Sequence, residues 1–369
     1  MKTKFRILAA LLALSLCLGL AACGAETPAA PAPSEAEAAP AEAAADTAPA
    51  EAPAEPEPTE PPVSLPGLSW PVEEAEGPTA VSYPYIVRTE TAVWHLSKDD
   101  MELLGEEAYL EGLERILGDQ DADFAEAQAL LAPWLQEEVP PIDIYTDFCG
   151  HAEGDEIFGA FYRGTNRDIR LFHSWDIAAM ALLHEYVHYL TFSCTDKPVS
   201  MGLFAEGIAE YVSQFACRNR MLRTASREGM SEDDKRLAGE WNLLDEDGCL
   251  DPERRHLYLA EETKSPEGTG MKYSTITNAV MTRDERINQN PTPTTISYYE
   301  AGSMIAYLVE TYGEEQVFGR WDMDPLDLAD AFGKGFPELY RDWEVWNRAK
   351  CEELGIVLDF SMVGAEEKR

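Results

Sequence analysis

Basic side chains are scarce in this chain, which has 29 Lys and Arg residues against 68 Asp and Glu residues and a formal net charge of −39. A surface this acidic repels the phosphates of DNA and RNA, so we expect no nucleic-acid partner. The chain also lacks any GxSxG, Walker or Rossmann glycine pattern, so its motifs indicate neither a serine hydrolase nor a nucleotide-binding protein.

Closely spaced cysteine pairs are missing as well. Five cysteines follow Cys23, and none of them belongs to a CxxC pair. Their spacing therefore indicates neither a thiolate metal site nor a redox motif. In an exported protein they can form one or two disulfides, and an odd number leaves at least one thiol free.

The first 22 residues have the pattern of an export signal. Met1–Arg6 supplies positive charge, and Ile7–Leu20 is an apolar run too short to cross a bilayer as a mature helix. The run ends in Leu-Ala-Ala-Cys-Gly at 20–24, which resembles the lipobox of bacterial lipoproteins. This resemblance implies that residues 1–22 are removed and that Cys23 carries a lipid. We therefore expect an extracytoplasmic protein anchored to the bacterial cell membrane.

Residues 23–66 have the composition of a tether. After Cys23 this segment contains no Lys, no Arg and no aromatic residue, and it consists mainly of Ala, Pro and Glu. Such a composition offers too little apolar surface to offset the entropy of chain ordering, so we expect disorder. Its proline content favours extended geometry, with a reach on the order of 100 Å.

Residues 67–369 are long enough for one large domain, and their pattern predicts an α+β fold. Strands are expected first, at 85–96, at 142–148 and in a hairpin of 157–162 with 168–172. Helices are expected at 97–117, 119–135, 176–192, 201–218, 297–312, 326–332 and 336–354. Residues 219–296 are polar and rich in turn residues, so we expect an irregular insertion with some helix.

The helix at 176–192 contains the pattern HExxH. Residues four apart share a helix face, so His184 and His188 can reach one ion, while Glu185 points beside the site. The rest of this helix is apolar, and three unpartnered polar side chains would be costly to bury there. A metal ion satisfies all three, and a polar core network of histidines and carboxylates is the alternative.

The next predicted helix contains Leu203-Phe-Ala-Glu-Gly-Ile-Ala-Glu-Tyr211, with Glu206 18 positions after His188. Together the two helices resemble the gluzincin metallopeptidases, in particular the peptidase-MA-like proteins. The resemblance implies that His184, His188 and Glu206 bind Zn²⁺ and that Glu185 is the catalytic base. Glu210 lies one turn after Glu206, where it can accept the spare N–H of a zinc-bound histidine, and a solvent-exposed carboxylate is the alternative.

A segment at 297–303, Ser-Tyr-Tyr-Glu-Ala-Gly-Ser, resembles the YEKG segment of the aminopeptidase-N family. The resemblance implies that the hydroxyl of Tyr299 stabilises the tetrahedral intermediate, with Tyr298 as the rival and packing as the alternative for both. Gluzincins also align an extended substrate along an edge strand, for which 168–172 is the candidate. The GxMEN segment of the aminopeptidase-N family is absent, so aminopeptidase activity is not supported.

The resemblance implies a small N-terminal sheet lobe, a mostly helical C-terminal lobe and a zinc site in the cleft between them. We expect a monomeric zinc metallopeptidase that hydrolyses peptide bonds of a peptide or protein substrate with metal-activated water. The alternative is a non-catalytic lipoprotein that keeps this fold and binds peptide or cell-wall ligands. Glu185 favours the enzyme, because a binding protein has no need of a base beside the metal.

The proposed lipidation of Cys23 predicts the effect of replacing its sulfur by oxygen. Cys23→Ser, expressed in a bacterium, should leave the protein unprocessed or release it from the membrane fraction, because a serine cannot accept the thioether-linked lipid. Cell fractionation and the mass of the N-terminus measure this, and Cys149→Ser serves as the control that should remain anchored. A Cys23→Ser protein that stays in the membrane with residues 1–22 removed would contradict the reading.

Overall fold

The computed structural model describes residues 65–149, 160–262, 264, 275–277, 295–323 and 327–360. The expected export signal, Cys23 and the tether up to residue 64 lie outside these ranges. Within them, no helix is both long and apolar enough to cross a membrane.

Six strands form a mixed β-sheet, and they are β1 Val72–Glu74, β2 Tyr85–Arg88, β3 Ala92–Leu96, β4 Ile142–Thr146, β5 Ala160–Arg163 and β6 Asp168–Leu171. Their order across the sheet is β1-β2-β3-β4-β6-β5. The strands β3, β4 and β6 run parallel, and the other neighbours are antiparallel. In β3, Ala92, Trp94 and Leu96 are buried while the residues between them are partly exposed, so one sheet face packs on the core.

Two strand predictions need correction. The strand expected at 85–96 is a hairpin, because a turn at Thr89–Thr91 is held by Asp121, whose carboxylate accepts the backbone N–H of Glu90 and of Thr91. The strand expected to form the sheet edge, 168–172, is an inner strand. It pairs in parallel with β4 on one side and antiparallel with β5 on the other, which leaves β5 as the outermost strand among the described residues.

Helices make up most of the remaining described chain, and their bounds are α1 Lys98–Leu104, α2 Glu106–Leu131, α3 Trp175–Ser193, α4 Leu203–Tyr211, α5 Arg220–Gly229, α6 Glu232–Glu240, α7 Pro252–Glu262, α8 Tyr298–Tyr312, α9 Glu314–Phe318, α10 Leu328–Phe332 and α11 Phe336–Glu353. A π-helical turn, Val212–Ala216, continues α4. A two-stranded ladder of β7 Thr275–Thr277 with β8 Thr295–Ser297 leads into α8. The α+β fold class is confirmed.

The helix break expected at Gly118 lies earlier in the chain. Gly105 separates α1 from α2 with a φ of 82°, a conformation that favours glycine, whereas α2 runs through Gly118 without interruption.

The segment expected to be an irregular insertion, 219–296, contains three helices, α5 to α7, in its first part. Asn219 caps α5 by accepting the N–H of Leu222, and Ser231 with Asp234 forms a capping box on α6. Charged residues cover the exposed faces of these short helices, and this polar composition explains why the segment was expected to be irregular. Apart from Lys264 and β7, residues 263–294 lie outside the described part of the chain.

The five cysteines after Cys23 are free thiols. Cys149 is exposed, and Cys194, Cys217, Cys249 and Cys351 are buried.

The motif helix α3 is held between the sheet and α2. Its residues from 177 to 191 are all buried, as expected for a helix that is apolar on every side. Trp175 at its start packs its ring 6.3 Å from that of Trp94 on β3 and 5.1 Å from that of Tyr109 on α2. Opposite Trp175, α2 has Gly112, where an added Cβ would lie 2.0 Å from Cδ1 of the indole.

This close approach predicts the effect of one methyl group on stability. Gly112→Ala should lower the free energy of unfolding by about 1–3 kcal/mol, because the buried indole has to move. The matched control on the same helix is Gly118→Ala, which meets no atom within 4 Å and should be neutral or stabilise by up to about 1 kcal/mol. Denaturant unfolding measures both changes, and equal stabilities of the two variants would contradict the packing of α2 on α3.

Candidate metal centre

Helix α3 places two histidines and a glutamate inside the protein. Ser174 caps the helix by accepting the N–H of Ile177, and the helix continues without a break through the HExxH pattern. The exposed fractions of His184, Glu185 and His188 are only 4%, 5% and 4%. Groups of this kind are costly to bury unless each finds a partner.

Helix α4 supplies the partners. It begins after Gly202, whose φ is 77°, and it places Glu206 and Glu210 one turn apart on the same side. Their exposed fractions are 5% and 4%. Helix α8 packs directly on α4 at Gly207, where an added Cβ would lie 2.7 Å from Cγ1 of Ile305. The glycine therefore brings the start of α8 close to the histidines.

The three predicted ligands meet at one point. Oε2 of Glu206 lies 3.3 Å from Nε2 of His184 and 3.2 Å from Nε2 of His188. One ligand atom from each residue lies within 4.8 Å of the others. Ligands at about 2.0–2.1 Å from a tetrahedral Zn²⁺ are separated by about 3.3 Å. The two distances to Glu206 therefore fit a tetrahedral metal ion, and they also fit hydrogen bonds between the imidazoles and the carboxylate.

The electrostatics of the cluster favour an ionised carboxylate at position 206. Burial alone would raise the pKa of Glu206, but the adjacent imidazoles of His188 and His184 lower it to about 2. Burial alone would lower the pKa of His184, but the carboxylates of Glu206 and Glu210 raise it well above its ordinary value. The His184 imidazole thus lies in a strongly negative surrounding that also attracts a cation.

Glu210 contacts the opposite side of the His184 ring. Its Oε1 lies 3.1 Å from Nδ1 of His184, while Nε2 of that ring faces Glu206. Burial alone would raise the pKa of Glu210, but His184 lowers it below the ordinary value, so the carboxyl group is ionised. Glu210 is therefore not the solvent-exposed carboxylate that was the alternative, and its role toward a metal-bound histidine stays a prediction.

Glu185 follows His184 directly on α3, is not one of the three clustered donors, and contacts strand β5. Its Oε2 accepts the backbone N–H of Tyr162 on β5 at 2.8 Å. This hydrogen bond fixes Oε2 of Glu185, and Oε1 can contact a second group. The same N–H points away from β6, so the side of β5 that pairs with no described strand faces Glu185.

The two tyrosines at the start of α8 have different neighbours. Tyr298 shares a helix face with Ala301 and Gly302, which contact α4, and its ring lies 6.1 Å from the ring of His184. The ring of Tyr299 lies 5.1 Å from that of His256 on α7. The structure therefore brings Tyr298 beside a predicted ligand and Tyr299 beside a different histidine.

One buried residue of this region was missed by the sequence analysis. His256 lies in the segment expected to be irregular, is fully buried, and has its Nδ1 3.4 Å from Oε2 of Glu210. Burial lowers the pKa of His256 to about 4, so the ring is neutral at physiological pH. A lone histidine in a polar segment carries no motif, and only its helical neighbours Leu257 and Leu259 hinted that it lies in a buried helix.

Comparisons of the chain with models of known protein families, with curated proteins and with solved structures found no match.

Proposed function

We propose that this protein is a zinc metallopeptidase of the gluzincin type. The observation that carries the proposal is the spacing of Nε2 of His184, Nε2 of His188 and Oε2 of Glu206, whose edges of 3.2 and 3.3 Å suit a tetrahedral zinc ion. Two imidazoles and one carboxylate leave a fourth position for water, as in catalytic zinc sites. A thermolysin-like division into a sheet lobe and a helical lobe, with the site in a cleft, belongs to the same proposal.

Glu185 is the proposed general base. When bound, zinc lowers the pKa of water and polarises a carbonyl oxygen. The carboxylate of Glu185 takes the proton of the attacking water and returns it to the leaving amine. Because the N–H of Tyr162 holds Oε2, the proton is expected on Oε1.

The edge of β5 is the proposed guide for the substrate. An extended peptide can pair with the open backbone groups of an edge strand, and specificity then comes from alternate side chains. The open side of β5 is the side on which Glu185 contacts Tyr162, so a paired peptide would pass the base. In this proposal β5 takes the role that the sequence suggested for 168–172.

Tyr298 is the proposed donor to the developing oxyanion. A phenol hydroxyl beside the metal ligands can stabilise negative charge on the substrate carbonyl oxygen. The contact of its ring with His184 favours Tyr298 over Tyr299, the residue implied by the resemblance to YEKG. Tyr299 instead packs against His256.

The setting of this activity is proposed from the sequence. A lipid on Cys23 and the Ala, Pro and Glu-rich tether would hold a monomeric catalytic domain outside the bacterial membrane, where its substrates are peptides or proteins. The competing proposal is a binding protein that retains the site without turnover. The position of Glu185, beside the donors and outside the ligand set, supports the enzyme.

The division of roles between ligand and base predicts two separable variants. The purified protein should contain about one zinc per chain, and His188→Ala should lose it, because two donors hold the ion too weakly. Glu185→Gln should keep the zinc and lose nearly all peptide hydrolysis, because an amide cannot accept the proton. Elemental analysis and a peptide cleavage assay measure both. If His188→Ala retains all of its zinc, the proposed ligand set is wrong. If Glu185→Gln cleaves peptides at the wild-type rate, the binding-protein proposal is favoured.

The two tyrosines form a matched pair for the oxyanion donor. Tyr298→Phe should lower kcat by about 10²-fold to 10³-fold with little change in KM, because a hydrogen bond that forms in the transition state is lost. Tyr299→Phe should change kcat far less. Steady-state kinetics on one peptide substrate, with zinc content measured for each variant, tests this assignment. A larger loss of kcat in Tyr299→Phe than in Tyr298→Phe would assign the oxyanion donor to Tyr299.

A further inference from the structure

His256 lies on α7 and contacts Glu210 of α4. Its side chain is fully buried. The ring of Phe215 meets it edge-on at 5.0 Å, and the ring of Tyr299 meets it edge-on at 5.1 Å. Two aromatic neighbours thus restrict the orientation of the imidazole.

The carboxylate of Glu210 connects His256 to a predicted zinc ligand. One oxygen, Oε1, lies 3.1 Å from Nδ1 of His184, and the other, Oε2, lies 3.4 Å from Nδ1 of His256. Neither nitrogen is aligned closely enough for a hydrogen bond, so each pair is a close contact that a small ring rotation would complete. The single buried carboxylate of Glu210 therefore contacts two imidazoles, those of His184 and His256.

Helix α8 closes over this pair at Gly302. A Cβ added there would lie 2.6 Å from Cβ of Glu210 and 2.6 Å from Nε2 of His256. Only a residue without a side chain allows the helix to approach so closely. The pair of Glu210 and His256 is thus enclosed by two helices besides its own, α3 and α8.

We propose that His256 is a positioning residue of the metal centre. It donates the N–H of Nδ1 to Oε2 of Glu210, and this holds Oε1 of Glu210 as the acceptor for Nδ1–H of His184. A neutral imidazole has one N–H, so fixing it at Nδ1 keeps Nε2 of His184 free to bind the metal. The inference rests on the proposed function and extends it to a residue beyond the HExxH motif and the ligand helix.

Two amide variants of His256 test the proposal. The amide nitrogen of Asn lies near the position of Nδ1, and that of Gln near the position of Nε2, which faces Gly302. His256→Asn should therefore retain zinc affinity within a few-fold of the wild type, whereas His256→Gln should bind zinc about 10-fold to 100-fold more weakly. Competition with a chromophoric chelator measures the zinc Kd of the purified protein without any activity assay. If His256 acts only by packing against α8, His256→Asn should bind zinc no more tightly than His256→Gln.

A spectroscopic readout and a control complete the experiment. The visible bands of bound Co²⁺ report ligand geometry, and they should shift in His256→Gln and return toward wild type in His256→Asn. His95→Gln is the control, because His95 lies on the opposite face of the sheet and contacts Tyr145 and Asp143. It should leave Kd and spectrum unchanged.

The outcomes separate this inference from the function on which it rests. A folded His256→Gln protein with wild-type Kd and spectrum, or one that binds zinc more tightly than His256→Asn, overturns the positioning role alone. A wild-type protein that binds neither Zn²⁺ nor Co²⁺ overturns the proposed function and the positioning role together.

Discussion

The burial of five ionisable side chains around one point is the constraint on which the rest of the structure depends. His184, His188, Glu185, Glu206 and Glu210 are each no more than 5% exposed. Three carboxylates bring negative charge into this interior, which is costly without compensation. Burial alone would raise the pKa of Glu210, but His184 lowers it and Arg255 lowers it further. A divalent cation held by His184, His188 and Glu206, as we propose, would compensate the negative charge that remains.

The packing around the centre follows from the same constraint. Side chains that share one ion have to meet within a few tenths of an ångström, so the elements that carry them need close and rigid contacts. Glycines provide these contacts at three helix crossings, Gly112 against Trp175, Gly207 against Ile305 and Gly302 against Glu210 and His256. The sheet contributes a backbone N–H that orients Glu185. Residues far from the motif thus determine where the motif side chains lie.

The sequence could predict the features that depend on local periodicity. The motif helix, the ligand helix and the start of α8 at Ser297 follow from apolar spacing and capping, and helical geometry alone places His184 beside His188 and Glu206 before Glu210. Strand order could not be predicted, because β6 becomes an inner strand only through its parallel pairing with β4. The contact of His256 with Glu210 joins residues 46 positions apart (256 − 210), and no local pattern records such a contact. The same holds for the choice between Tyr298 and Tyr299, which depends on which face of α8 meets α4.

Profiling the cleavage of a peptide library by the purified protein, with a chelator and after zinc is restored, tests the central claim most directly. The account predicts cleavage that stops when the metal is removed and returns when zinc is added, because the donors, the base and the sheet edge act only together with the ion. Zinc-loaded, folded protein that leaves every peptide intact, or cleavage that the chelator does not affect, would contradict it.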